Sequence, residues 1–375
     1  MGSPAVDRRF RGGGRSRDSA PLPVPRRLFR FSTSKAVPAR KGHAAMKLSI
    51  FSVTDHHPSL GRSISDFYDQ LLDEIELADQ LGFANYFVAE HHFHEYGVVT
   101  SPPVLLAAAA RRTNRIGLGA AVAVLPFHNP LVLAEEYAML DQLSGGRLAL
   151  GVGSGYLEHE YAGFGIGNSE KRVRFDEALE VLTKAWTGEP VTYHGHYHHV
   201  DDVRIAVTPL APPPLWVAVI RAEAAYHVGR QGRNVMLIPY ATATDISDLG
   251  TIVDSYRRGY AESGAPGRGE VAVALHTYVG DRPDVRSEVG PALAQYTDSR
   301  LYHRSRRSYD QLTDAGLVLF GDQDEVRERV EKLSGLGVGH LLALTNFGGM
   351  PSELANASLR RLSTLLPTAD ERDPV

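Results

Sequence analysis

Cysteine is absent from the 375-residue chain, which excludes disulfides and thiolate–metal sites. No apolar run approaches the roughly 18–20 residues that cross a bilayer. No G-x-G-x-x-G turn follows the first strand-like segment, so the usual dinucleotide signature is missing. Positive charge is scarce outside the start: residues 1–45 hold 11 Lys and Arg against Asp7 and Asp18, leaving 29 basic and 42 acidic side chains in the remainder. An acidic body argues against a nucleic-acid surface. Apolar residues at 43% and charged residues at 22% are those of a soluble globular protein, and the lack of cysteine fits a reducing cytoplasm.

The basic start is rich in Pro, Gly and Ser and has too little periodic apolar content to fold. A transit peptide and a basic arm share that composition. Met46 directly precedes the first strand-like run, so residues 1–45 are read as a disordered extension or an upstream start, with one domain over 46–370.

From Met46 onward, β-branched runs alternate with helical patterns. Strands are expected at 47–53, 83–90, 115–125, 147–153, 215–220, 234–240, 270–280 and 340–349. Helix signals lie between them. Residues 63–82 carry Phe67, Leu71, Ile75 and Ala78 at helical spacing and end at Gly82. Ser101, Asn129 with Pro130, and Ser169 read as helix starts, and Asp322 with Glu325 reads as a capping box. A hairpin turn is expected around Gly195. Eight strands, each followed by helical pattern, predict a (β/α)8 barrel. The stretch 281–320 between strands 7 and 8 is too long for a plain crossover and reads as an inserted segment, either a lid over the site or a solvated insertion.

Active sites of this fold lie at the C-terminal strand ends, where polar and glycine-rich clusters recur: "EHHFHE" after strand 2, "LPFHNP" after strand 3, "GVGSGYLEHE" after strand 4, "IRAE" after strand 5 and "TNFGGMP" after strand 8. The histidines at 91, 92 and 94 admit metal binding, proton transfer, or hydrogen bonding between loops. Adjacent side chains point apart, which disfavours a three-ligand metal site, and no metal is expected. Glycines at 151, 153 and 155 leave room for a flat ring or bare N–H groups for an anion.

The motifs "FVAEHHFHEYG", "GLGAAVAVLPFHNPLVLAEEYAMLDQLSGGRLALGVGSG", "FDEALEVLTKAWTG", "LFGDQDEVRERVEKL" and "NFGGMP" together resemble the luciferase-like flavin monooxygenases, the bacterial luciferase type most nearly, over residues 47–367. The resemblance implies a (β/α)8 barrel that binds reduced FMN, activates O2 and oxygenates a small organic molecule. The reduced flavin is supplied by a separate reductase. His91 matches the family's catalytic histidine, with Glu90 and His92 as its neighbours. Ala120, Ala121 and Val122 match the segment beneath the flavin ring, where the family often has a non-prolyl cis peptide, here Ala121–Val122. Gly153, Ser154, Gly155 and Tyr156 match the strand-4 loop, and Ile220 and Arg221 the end of strand 5. Ser154 stands where relatives often carry an arginine for the flavin phosphate, so Arg221 is expected to supply that charge. Tyr302, His303 and Arg304 are candidate substrate contacts in the lid. A homodimer through helices at 101–112 and 130–143 is implied; light emission is not. The alternatives are an F420-dependent oxidoreductase on the same barrel and a flavin-binding protein without catalysis.

Overall fold

The computed structural model describes residues 46–241, 243–299 and 307–366. Eight stations of parallel strand form the barrel: β1 (Lys47–Ser52), β2 (Asn85–Val88), β3 (Gly117–Ala120) continued by β4 (Ala123–Val124), β5 (Leu150–Gly153), β8 (Leu215–Val219), β9 (Asn234–Leu237), β10 (Val271–Val279) and β12 (His340–Leu344). The ladder runs β3-β2-β1-β12-β10-β9-β8-β5-β4. Because β3 and β4 are two halves of one station, its two ends meet, and a Leu118–Leu148 bridge helps to join them. The expected barrel is therefore observed. The remaining pair, β6 (Val191–His194) and β7 (His199–Val203), is an antiparallel hairpin around Gly195, as expected.

Side chains on successive strand positions point to opposite faces. Ile50, Tyr86, Val217, Val273 and Leu341 pack outward against helical residues such as Leu71, Ile75, Leu106 and Tyr137. Phe51, Phe87, Trp216, Met236, Ala274 and Leu342 fill the interior. Burial on both faces explains why the strands read as near-continuous apolar runs. At Gly119, an added Cβ would come within 1.4 Å of the Ala149 carbonyl oxygen, so β3 can approach β5 only without a side chain there.

The helices are α1 (Ile64–Leu81), α2 (Pro102–Arg112), α3 (Pro130–Ser144), α4 (Glu158–Gly163), α5 (Lys171–Ala185), α6 (Ala222–Arg230), α7 (Asp248–Ser263), α8 (Val285–Asp298), α9 (Tyr309–Asp314), α10 (Gln323–Gly335) and α11 (Ser352–Ser363). Ser63 caps α1 by accepting from Asp66 N, and Gly82 closes it at φ +88°. Asn129 caps α3, and Asp322 with Glu325 forms the capping box of α10. Two expected caps fail. Ser101 flanks α2 without a side-chain cap bond. The helix after Ser169 begins only at Lys171, because Glu170 folds back to accept from Gly167 N at 3.1 Å.

The stretch 281–320 is more than an insertion. It holds α8, α9 and a further parallel strand, β11 (Val318–Gly321). β10 has nine residues, and its last four, His276–Val279, pair with β11. This satisfies backbone groups that the shorter β9 and β12 do not reach. Tyr302, His303 and Arg304 lie outside the described residues. No described helix is long and apolar enough to cross a membrane.

Candidate functional site

Glu90, the first residue of the histidine-rich cluster, is the hub of the β2 loop. Its Oε1 accepts from His92 Nε2 at 3.0 Å and His128 Nε2 at 2.8 Å, while Oε2 accepts from Val124 N at 3.1 Å. Burial drives its pKa upward, but the hydrogen bonds from His128 and His92 outweigh burial and hold it down to about 2. The same contact works in reverse on His128: burial lowers its pKa, the bond to Glu90 and the nearby negative charges more than offset this, and the net direction is upward. The carboxylate thereby joins the β2 loop to β4 and the turn that follows it. One ligand atom from each of Glu90, His92 and His128 lies within 4.8 Å of the others. Hydrogen bonds already link these groups into a carboxylate–imidazole triad.

His91 points elsewhere. Its Nδ1 donates to Glu160 Oε1 at 3.1 Å, and the same oxygen accepts from His92 N at 2.9 Å. A carboxylate on Nδ1 holds the proton there and leaves Nε2 as the basic nitrogen. His91 Nε2 has no partner among the described residues. The Tyr96 ring packs against the imidazole at 5.8 Å in a T-shaped contact. His94 is engaged separately, its Nδ1 accepting from Tyr96 N at 3.1 Å.

The floor beside this loop is built from the β3–β4 junction and the end of β5. The Ala121–Val122 peptide is cis, as the resemblance implied. Ala121 and Val122 pack with the barrel interior, whereas the methyl group of Ala120 lies in the strand–helix layer. The side chains of Ala120 and Ala121 therefore point to opposite faces of the strand. Gly153 faces Val122 across the floor, and a Cβ at Gly153 would come within 2.6 Å of Val122 Cγ2. Ser154 turns its carbonyl to the Tyr161 hydroxyl. Gly155 adopts φ +70°, and Tyr156 is exposed.

At the end of β8, Ile220 and Arg221 are both exposed. Arg221 occupies the N-cap position of the nine-residue α6 without a side-chain cap bond, and it forms no ion pair with the described residues. Uncapped N–H groups and a free guanidinium suit an anion.

Three functional neighbours escaped the sequence. Glu160 ends the noticed cluster "GVGSGYLEHE" but lies 69 positions from His91 in a six-residue helix, and nothing in the sequence pairs the two. His128 stood in a noticed cluster but carried no sign of its partner. At the end of β1, Asp55 Oδ2 accepts from His57 Nε2 at 3.0 Å and from Gly348 N at 2.6 Å. His57 Nδ1 meets Gln295 Nε2 of α8 at 3.3 Å. The motif "TDHH" could have signalled this, since like the others it ends a barrel strand.

The residues present fit a flat, anionic cofactor. Gly153 lets Val122 pack directly on the strand backbone, which keeps bulk out of the strand end, and Arg221 lies unpaired at a helix start where an anion would be met.

The sequence profile of a family described as luciferase-like monooxygenase matches residues 46–340. Two uncharacterised proteins of Sinorhizobium fredii are 36% and 35% identical, over 53% and 48% of this chain and 59% and 51% of their own lengths; the chain thus spans about half of these relatives. A 4-hydroxyprotoasukamycin monooxygenase from Streptomyces nodosus subsp. asukaensis is 30% identical over 71% of this chain and 78% of its own. An F420-dependent hydroxymycolic acid dehydrogenase from Mycobacterium tuberculosis is 26% identical over 76% and 78%. Among solved structures, the monooxygenase RslO1 from Streptomyces bottropensis aligns with a TM-score of 0.78 and 29% identity over 86% of this chain and 98% of its own. The oxygenating constituent of 3,6-diketocamphane monooxygenase from Pseudomonas putida, in complex with FMN, shares the fold at a TM-score of 0.74 and 20% identity over 85% and 97%.

Proposed function

Because this chain belongs to the luciferase-like monooxygenase family, we propose that it uses reduced FMN and O2 to oxygenate a small organic substrate. The observation that carries the reading is the buried Glu160–His91 pair, with Nε2 of His91 left as the basic nitrogen at the barrel mouth. Reduced FMN, when bound, supplies the electrons that activate O2. Ala121, Val122 and Gly153 form the surface for its flat ring. Arg221 and the first N–H groups of α6 hold the phosphate, with Ser154, Gly155 and Tyr156 beside them. His91 holds and moves a proton at Nε2. Glu160 keeps the ring in one tautomer, and Glu90 with His92 and His128 sets the loop that carries it.

A separate reductase is the source of reduced flavin, in line with the missing dinucleotide turn. A second copy of the chain covers α2 and α3, whose outer faces expose Val104, Val132, Met139 and Leu143. F420 is the alternative cofactor, favoured by the F420-dependent relative; hydride transfer would then replace oxygen activation.

Equilibrium binding separates the cofactors. FMN is expected to bind more tightly than F420, and Arg221→Ala to weaken FMN about tenfold, the worth of one charge-assisted contact. Riboflavin, which lacks the phosphate, should bind both proteins alike. Tighter F420 binding would reverse the cofactor assignment, and unchanged FMN affinity in the variant would remove Arg221 from the phosphate site.

A further inference from the structure

The interior face of β10 carries a histidine that the site described above does not use. Ala272, Ala274 and Tyr278 face the barrel interior, so strand alternation places His276 on the same face towards the C-terminal end. The imidazole is 2% exposed. Neither Nδ1 nor Nε2 has a hydrogen-bond partner among the described residues. Nearly all buried polar groups are satisfied, and one left unmade costs stability. Two unmade bonds on one buried ring point to a partner that comes from outside the chain.

Three aromatic rings frame the imidazole, with centroids at 4.9 Å for Tyr240, 4.6 Å for Tyr296 and 4.8 Å for Phe347. Phe347 stands at 88° to the imidazole, so its ring can receive one N–H weakly. The lone pair of the other nitrogen still lacks a donor. Burial pushes the His276 pKa down to about 3, so the ring stays neutral at ordinary pH, with one donor and one acceptor.

We propose that His276 anchors the organic substrate, an aromatic or alicyclic ring held among Tyr240, Tyr296 and Phe347 whose neutral hydroxyl group hydrogen-bonds the imidazole. The proposal rests on the monooxygenase reading, which requires an organic molecule at the barrel mouth. Tyr296 belongs to α8, and the neighbouring Gln295 reaches His57 Nδ1 at 3.3 Å. α8 therefore packs over the imidazole and would have to move aside for a ligand to enter past Tyr296.

Phenol and toluene differ by a hydroxyl against a methyl group and serve as the probe pair, titrated into the full chain by NMR. Wild-type protein is expected to bind phenol at least about fivefold more tightly than toluene, the worth of one neutral hydrogen bond. His276→Phe should abolish or reverse the preference, because the buried hydroxyl then lacks a partner, while His276→Gln, which keeps a donor and an acceptor, should restore it. The thermal midpoint of His276→Phe should not fall, since the change removes an unpartnered polar group; His276→Leu replaces it should the larger ring not fit. Equal affinities in the wild type, or a phenol preference that survives in both apolar variants, would overturn the proposal. Loss of FMN affinity in those variants with the preference kept would also overturn it, by assigning His276 to the cofactor. Failure of the wild type to bind FMN would instead count against the monooxygenase reading, and the phenol arm would still be readable.

Discussion

His91→Ala is expected to lower turnover by about two to four orders of magnitude, the range for a positioned acid–base group, while the fold and FMN affinity hold. The side chain is buried beside the Tyr96 ring at 5.8 Å, and when the imidazole is removed the Glu160 carboxylate keeps its bond from His92 N at 2.9 Å. The variant therefore removes chemistry more than packing. Glu160→Gln provides the companion test. An amide in place of the carboxylate no longer requires the proton on Nδ1, so the ring loses its single tautomer and Nε2 is basic only part of the time. Turnover should fall roughly tenfold or more with KM little changed, and Glu160→Asp should recover part of the loss. A purely structural Glu160 would shift the thermal midpoint without that split between kcat and KM. Normal turnover in His91→Ala would remove this histidine from the chemistry.

Glu90→Ala is expected to have the largest effect on stability, about 3–5 kcal/mol, as for removing one partner of a buried charge pair. His92 and His128 both lose their acceptor, as does Val124 N. The pH dependence follows from the direction of the shift. Burial raises the pKa of Glu90, the two imidazoles more than offset this, and the net value is about 2, below the ordinary 4.5. Its stabilisation is therefore fully present above about pH 4.5 and is lost as the pH falls towards 2. His128 is shifted upward, so its share is present below its ordinary pKa and disappears as the pH rises through the raised one. Urea midpoints measured at neutral pH and at pH 3 check the carboxylate's part, and midpoints carried on to alkaline pH check that of His128. The variant should start lower and lose less on acidification. Equal midpoints and equal acid sensitivity would contradict the hub.

The parts of the molecule legible in the sequence are those written by local chemistry. Ser63 and Gly82 bracket α1 because a hydroxyl and a side-chain-free residue each satisfy a helix end. All eight barrel strands carry their own apolar runs. The cluster after β2 identified Glu90, His91 and His92 as one loop, and the family resemblance located the cis Ala121–Val122 peptide. Contacts that close across the barrel were not legible. Glu160 meets His91 over 69 positions and Asp55 meets Gly348 over 293, and no spacing rule spans such gaps. β11 was hidden because four residues after Gly316 make a weak strand signal; the unusual length of β10 is what recruits them.

Reduced FMN mixed with the protein in air-saturated buffer gives the most direct measurement, with the return of oxidised flavin absorbance followed by stopped flow. The account predicts a return clearly slower than that of free flavin, because bound flavin and O2 react in a site governed by His91. It also predicts that His91→Ala moves the rate back towards the free one. Reoxidation at the free rate in the wild type, with all O2 recovered as hydrogen peroxide, would contradict it.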